Sequence, residues 1–389
     1  LKFFLPWLLI LTLSAGCTTR ASSVIGPYLP NLVSEKPAII FIHGFYGSAL
    51  RKKNMGRRVF LTGKELLFGS SALSLFTAEL GTPLSPELEI EGLLGTVPVL
   101  PGLYEVDVYS SFVRNLRDSN EKAQILPLVY DWRMDLHLAV LQLDELVKLL
   151  LERGAPSISI VAHSMGGQVA TYYLGYGAQP AETAKLNWAG ARNIQKVVFF
   201  GVPFGGSMVS FRSFEKGSGL PKSERMLSAD TMSSFPSLYR LLPSLASLKN
   251  MNGESISLPL FEIEIWKKHR FGLLRSKEID SSLMAARERF TDAELGKAKK
   301  WNELVQLGRT AEWPAPDHLK VLNVVSSSHD TLDLAYFDAT NGKLLFDPDE
   351  VEAAGFKIED LLRTGDGSVS RTSAEVPPAF GAATTIVSS

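Results

Sequence analysis

The stretch Ser157-Ile158-Ser159-Ile160-Val161-Ala162-His163-Ser164-Met165-Gly166-Gly167-Gln168-Val169-Ala170 constrains this chain more than any other. It alternates, runs apolar like a buried strand, reverses at Ser164 and continues in a helical pattern through Tyr172, Tyr173 and Leu174. A strand that turns directly into a helix needs small residues at the joint, because the two backbones approach closely there. Gly166 and Gly167 supply them after the turn, and Ala162 stands where such turns usually carry a glycine. A serine at the bend is held clear of the sheet, with the next backbone N–H and the helix N-terminus facing developing negative charge. Ser164 is therefore the candidate nucleophile; the competing reading is an ordinary joint whose serine only caps the helix.

The neighbouring segments repeat the strand–helix alternation. Ala38-Ile39-Ile40-Phe41-Ile42 is a short apolar run, as expected of a strand buried on both faces, and His43-Gly44-Phe45-Tyr46-Gly47-Ser48 follows it. A glycine-bearing loop in that place can offer a second N–H to an oxyanion, so the backbone N–H groups of Phe45 and Met165 are the candidate oxyanion donors. His43 reads as support for the loop, its alternative being a base. Ile125 to Tyr130 is a second buried strand ending in Asp131-Trp132-Arg133, and Asp135 to Glu152 carries Leu136, Val140, Leu143, Val147 and Leu150 at helical spacing. Ile194 to Phe200 is the next strand. This alternation predicts a doubly wound, mostly parallel α/β sheet with right-handed crossovers.

From Met208 to about His318 the pattern becomes long, helix-leaning and mixed in charge. Such a segment between two late strands is expected to form a helical cap over the strand ends, or else a solvent-facing subdomain without catalytic consequence. Val321 to Val325 returns to the sheet, Thr331 to Phe346 reads as a hairpin about Asn341-Gly342, and Ala383 to Val387 is the last strand. The expected organisation is a core over 36–207, a cap over 208–318 and a second, incomplete part of the core over 319–389.

Lysine plus arginine (40) balances aspartate plus glutamate (41), which gives no reason to expect nucleic acid. No His-Glu-x-x-His and no Cys/His cluster occurs, so no metal or other cofactor is expected. Lys2, the apolar run Phe3 to Leu13 and Ser14-Ala15-Gly16-Cys17 have the layout of a secretory signal, and the run is too short to span a bilayer. The only cysteine of the chain follows the small residues, which resembles a bacterial lipoprotein signal; a plain signal peptide is the alternative. The resemblance implies a signal over 1–16, a tether over 17–35, and a protein held to a membrane of the bacterial cell envelope by acyl chains on Cys17. Oligomeric state is not legible.

Several pieces then come together: Gly44-Phe45-Tyr46-Gly47-Ser48-Ala49-Leu50, Tyr130-Asp131-Trp132-Arg133, Ala162-His163-Ser164-Met165-Gly166-Gly167, Gly201-Val202-Pro203-Phe204-Gly205-Gly206-Ser207, Ser237-Leu238-Tyr239-Arg240-Leu241-Leu242-Pro243 and Gly365-Asp366-Gly367-Ser368-Val369. In kind and order they resemble the lecithin:cholesterol acyltransferase family of α/β-hydrolases, from about residue 36 to the end. The resemblance implies Ser164 as nucleophile, Asp366 as the acid that orients a histidine, and esters of long-chain fatty acids as substrates.

The order expected of this fold is serine, acid, histidine, and none of the six histidines, His43, His137, His163, His269, His318 and His329, follows Asp366. His163 is expected to turn away into the sheet and His137 to start a flanking helix. His329, beside Asp330, is the substitute candidate. Because the base of this fold lies in the loop after the last strand, the histidine is expected a few residues beyond Ser389, and residues 1–389 alone are expected to be inactive or feeble. Two functional readings follow. One is a membrane-tethered serine lipase, phospholipase or O-acyltransferase of lipid metabolism that works through an acyl-enzyme. The other is an inactive lipid-binding or envelope scaffold on the same fold.

Overall fold

The computed structural model describes residues 32–53, 88–100, 104–218, 227–243, 247–275, 280–307, 313–340, 342–358 and 361–387. Its main sheet has six parallel strands, β1 (Ala38–Ile42), β2 (Gln124–Leu128), β3 (Ile158–His163), β4 (Lys196–Phe200), β5 (Lys320–Ser326) and β6 (Ala383–Val387), in the order β6-β5-β4-β3-β1-β2. The doubly wound α/β sheet expected from the alternation is thus the observed fold. The chain steps outward from β1 to β2, returns to the other side of β1 as β3, and then walks away through β4, β5 and β6. That reversal leaves the loops after β1 and β3 side by side at the C-terminal ends of the strands, where a crevice opens. Register keeps them level: Ile42 pairs with Ala162, and His163 with Phe200.

Helix α1 (Ser110–Asp118) covers one face of the sheet; α2 (Leu136–Glu152) and α3 (Met165–Tyr176) pack in the main core on the other. In α2 the five apolar positions singled out by spacing are all buried, and Asp135 caps the first turn by accepting the His137 N–H. Helix α3 is buried along its whole length, which explains why it lacks a polar face. On its outer side Tyr172 stacks on Trp301, ring centroids 4.8 Å apart.

Between β4 and β5 the chain forms α4 (Met208–Lys216), short helices at Ala229–Met232, Pro236–Arg240 and Ile263–His269, and the long α5 (Ser281–Val305). The buried Arg240 guanidinium ties this excursion to the core, pairing with Asp135 at 2.6 Å and Glu294 of α5 at 2.8 Å. Strand Leu248–Asn250 of the excursion pairs with Ala335–Asp338, which pairs in turn with Lys343–Leu345. The excursion and the segment after β5 therefore share one small sheet, and the antiparallel pair falls within the hairpin expected over Thr331–Phe346.

Candidate active site

Ser164 occupies the bend between β3 and α3 with φ 53° and ψ −128°, a conformation that a residue with a side chain adopts only at a cost of about 1–3 kcal/mol. Its own backbone holds it there: Ser164 N–H donates to Phe200 O at 2.9 Å, and Gly167 N–H to Ser164 O at 2.8 Å. The two glycines are required by space. A Cβ on Gly166 would lie 2.4 Å from His43 O, and one on Gly167 would lie 2.1 Å from the Val202 side chain. Ser164 is half-buried and lines a cavity of about 610 Å³, together with Phe45, Tyr46, His163 and Asp366.

The loop after β1 is clamped from several directions. His43 is fully buried; its Nδ1–H donates to Gly44 O at 2.8 Å, and Nε2 accepts the Tyr130 N–H at 3.3 Å. Its ring lies stacked on Tyr130 at 4.2 Å, and the Tyr130 hydroxyl donates to His43 O at 2.7 Å. Burial lowers the His43 pKa to about 4, so the ring is neutral with both nitrogens engaged, and it supports the loop instead of serving as a base. Trp132 donates through Nε1 to Ser48 O at 3.1 Å and packs edge-on against Phe45 and Tyr46, each at 4.9 Å. The Tyr130 to Arg133 stretch thus braces the loop, with Arg133 buried and paired to Asp131 at 2.6 Å. The hydrogen bonds that fix the two turns use the N–H groups of Gly44, Gly47, Ser164 and Gly167. Those of Phe45 and Met165 are not among them.

Sequence reasoning missed Tyr109. Its hydroxyl accepts the Gly44 N–H at 3.0 Å and is hydrogen-bonded to His163 Nδ1 at 2.7 Å. One phenol therefore joins the loop after β1 to the residue preceding Ser164. Burial pushes the Tyr109 pKa up to about 12, which keeps the phenol neutral. His163 meets its expectation only in part. Its ring packs edge-on against Tyr109 on the α1 face, yet it also borders the cavity. Burial lowers its pKa, partly offset by the negative charge of Asp366.

Asp366 follows the strand Leu362–Gly365, which pairs antiparallel with His329–Leu332. Its Oδ1 accepts the N–H groups of Ser368 and Val369, both at 2.8 Å, and Gly367 N–H donates to Thr331 Oγ1 at 2.8 Å. Oδ2 lies over Gly201, just past β4, where an added Cβ would stand 2.6 Å from it. Among the described residues Oδ2 accepts no hydrogen bond. Ser164 and Asp366, 202 positions apart by numbering (366 − 164), thus border one cavity.

The other histidines lie elsewhere. His329 pairs across its ribbon with Gly365, is exposed, and is not among the cavity-lining residues. His137 and His318 each bond through Nε2 to a backbone carbonyl, of Gln179 and Ala191, and His269 packs against Phe271 and Phe337. Among the described residues no histidine is hydrogen-bonded to Ser164 or Asp366. Cys17 lies outside the described residues; within them, no helix is long and apolar enough to cross a membrane, and no group of three or more His, Cys, Asp or Glu side chains could hold a metal ion.

Several solved structures are similar to the chain at low identity. They include a chain of the Tle4–Tli4 complex (13% identity, 84% of this chain and 80% of that one, TM-score 0.46). The mature lipase BlEst2 of Bacillus licheniformis follows at 12% identity, 90% and 84% coverage and a TM-score of 0.33, and lipase 1 of Pelosinus fermentans at 11%, 92% and 92%, and 0.32. No curated protein matches. The lecithin:cholesterol acyltransferase profile matches residues 102–313, more than half of the chain and including the Ser164 bend. This chain belongs to the lecithin:cholesterol acyltransferase family.

Proposed function

We propose that the protein is a serine-dependent lipid-ester hydrolase or O-acyltransferase. Family membership supports the lipid-acting hydrolase or acyltransferase class. The observation that carries the serine mechanism is the single cavity bordered by a conformationally strained serine and by a carboxylate with one oxygen left unbonded. Ser164 Oγ attacks the ester carbonyl, forming the new C–O bond as the carbonyl electrons move to oxygen, and the Phe45 and Met165 N–H groups stabilise that oxyanion. The serine proton passes to a general base oriented by Asp366 Oδ2, and from it to the departing alcohol. The acyl group remains on Ser164 until water or a second alcohol attacks, with the same proton route run in reverse. Lipid attachment at Cys17 would hold this chemistry at an envelope membrane.

The test is to trap the acyl-enzyme. The protein is mixed with a long-chain acyl ester, quenched in acid and digested, and the peptide containing Ser164 should gain the mass of the acyl group. Ester cleavage that persists in Ser164→Ala would remove the assignment. A lipid-binding scaffold without turnover is the second reading, favoured by the one observation that no described histidine is bonded to Ser164 or Asp366.

A further inference from the structure

Another cavity, of about 460 Å³, opens at the end of the main sheet opposite Ser164, where β3, β4 and β5 begin. It is roughly 20 Å from Ser164 along β3. The 3-10 turn Gly190–Asn193 contributes Arg192 and Asn193 to its wall, the start of β4 contributes Gln195 and Lys196, and the start of β5 contributes His318 and Lys320. These segments are tied together. Gln195 N–H donates to Ile158 O and Lys320 N–H to Gln195 O, both at 2.9 Å, while His318 Nε2–H donates to Ala191 O at 3.0 Å and so holds the turn that carries Arg192.

The charge in this cavity has one sign. Arg192, Lys196 and Lys320 line it, no aspartate or glutamate does, and among the described residues none of the three cations is ion-paired. Lys320 Nζ donates to a backbone carbonyl, that of Asp317, at 3.1 Å. Lys196 and Lys320 are register partners on neighbouring parallel strands, so their side chains leave the same face of the sheet about 5 Å apart. Like charges placed side by side across a sheet are destabilising. Fold stability alone therefore disfavours this pair, and an anion bound between the two reverses the sign. All three cations are exposed and within reach of a ligand.

We propose that this cavity binds the phosphate group of a small soluble phosphate monoester. The Arg192 fork takes two of the phosphate oxygens, and Lys196 and Lys320 neutralise the dianion. The volume lies in the range of small-molecule pockets and leaves room for the organic part of the ester beside the Asn193 and Gln195 amides. The same phosphate chemistry occurs in lipid headgroups, but a membrane that presents an ester to the Ser164 cavity faces the other end of the strands. That choice of source rests on the proposed function; the anion site itself does not.

The test measures binding and stability, neither of which depends on ester turnover. Calorimetric titration of the protein with glycerol 2-phosphate at low ionic strength should give one site with a Kd of about 0.1 mM, and titration with glycerol should give no heat of binding. Lys196→Gln and Lys320→Gln should each weaken the phosphate ester about tenfold. Without ligand, either variant should melt at or above the temperature of the unaltered protein, because a repulsion has been removed; a merely structural lysine would give a lower melting temperature. Glycerol 2-phosphate should raise the melting temperature of the unaltered protein more than sodium chloride of equal ionic strength does. Absent binding, an affinity unchanged in both variants, a lower melting temperature of the ligand-free variants, or a shift that sodium chloride reproduces would overturn the proposal. So would sedimentation with phosphatidylglycerol vesicles that depends on Lys196 and Lys320 while the soluble ester fails to bind. Phosphate binding alongside failure to trap an acyl group on Ser164 would sink the hydrolase or transferase reading and leave the anion site standing.

Discussion

The Ser164 bend and the Asp366 turn border the same cavity, yet the chain holds them by different means. The bend is fixed by crowding: a Cβ on Gly166 would strike the backbone of Ile42 and His43, at 2.6 and 2.4 Å from their carbonyl oxygens. The acid's turn is fixed by hydrogen bonds to Oδ1 and is open to solvent, with nothing within 4 Å of where a Cβ on Gly367 would stand. Volume sets the position of Ser164, whereas polar contacts set that of Asp366. The two regions should therefore fail in different ways.

The largest difference lies in the chemistry. On the proposed serine mechanism, Ser164→Ala is expected to lower kcat for ester cleavage by about 10⁶-fold and Asp366→Asn by about 10⁴-fold, with both variants folded by circular dichroism. Equal small losses would mean that neither group takes part. In stability the contrast reverses its meaning. Gly166→Ala should cost about 3 kcal/mol in urea unfolding, because carbonyl backbone must move, while Gly367→Ala meets only the penalty of its φ of +90°, about 1 kcal/mol. Similar costs at the two sites would break the distinction between crowding and bonding.

Acid should also reach the two regions unequally. His43, under the loop that faces Ser164, has a folded pKa of about 4 against 6.5 for a free ring. Between those values the unfolded chain takes up a proton that the folded chain refuses, so stability present above pH 6.5 is lost as pH falls toward 4. The loss amounts to about 3 kcal/mol. Unfolding free energies measured across this window should fall steeply for the unaltered protein and less steeply for His43→Asn. A smaller effect on catalysis than at Ser164 or Asp366 is expected at Tyr109→Phe, which removes the hydroxyl between Gly44 N and His163 Nδ1. It should cost about 1–3 kcal/mol of stability and lower kcat roughly tenfold with KM little changed, since the loop donor loses its alignment rather than the pocket its shape.

What the sequence revealed follows the same division. Crowding at a bend is a local demand, so Gly166, Gly167 and the apolar strand before Ser164 were legible within fourteen residues, 157–170. The parallel sheet was legible for the same reason, since each buried strand carries its own continuous apolar run. Bonds between distant segments leave no such mark. Tyr109 joins Gly44 and His163 from 65 and 54 residues away, and nothing beside it in the chain distinguishes it from any tyrosine that precedes a helix. Asp366 was singled out only through the family resemblance, because an exposed Gly-Asp-Gly-Ser turn is common surface chemistry. The His163 ring borders the cavity because β3 ends there.

The most direct measurement is active-site labelling of the folded protein with a long-chain alkyl fluorophosphonate, followed by peptide mapping. One adduct per chain is expected, on Ser164, abolished by prior unfolding and strongly slowed in Asp366→Asn. An unlabelled folded protein, or an adduct on another serine, would contradict it.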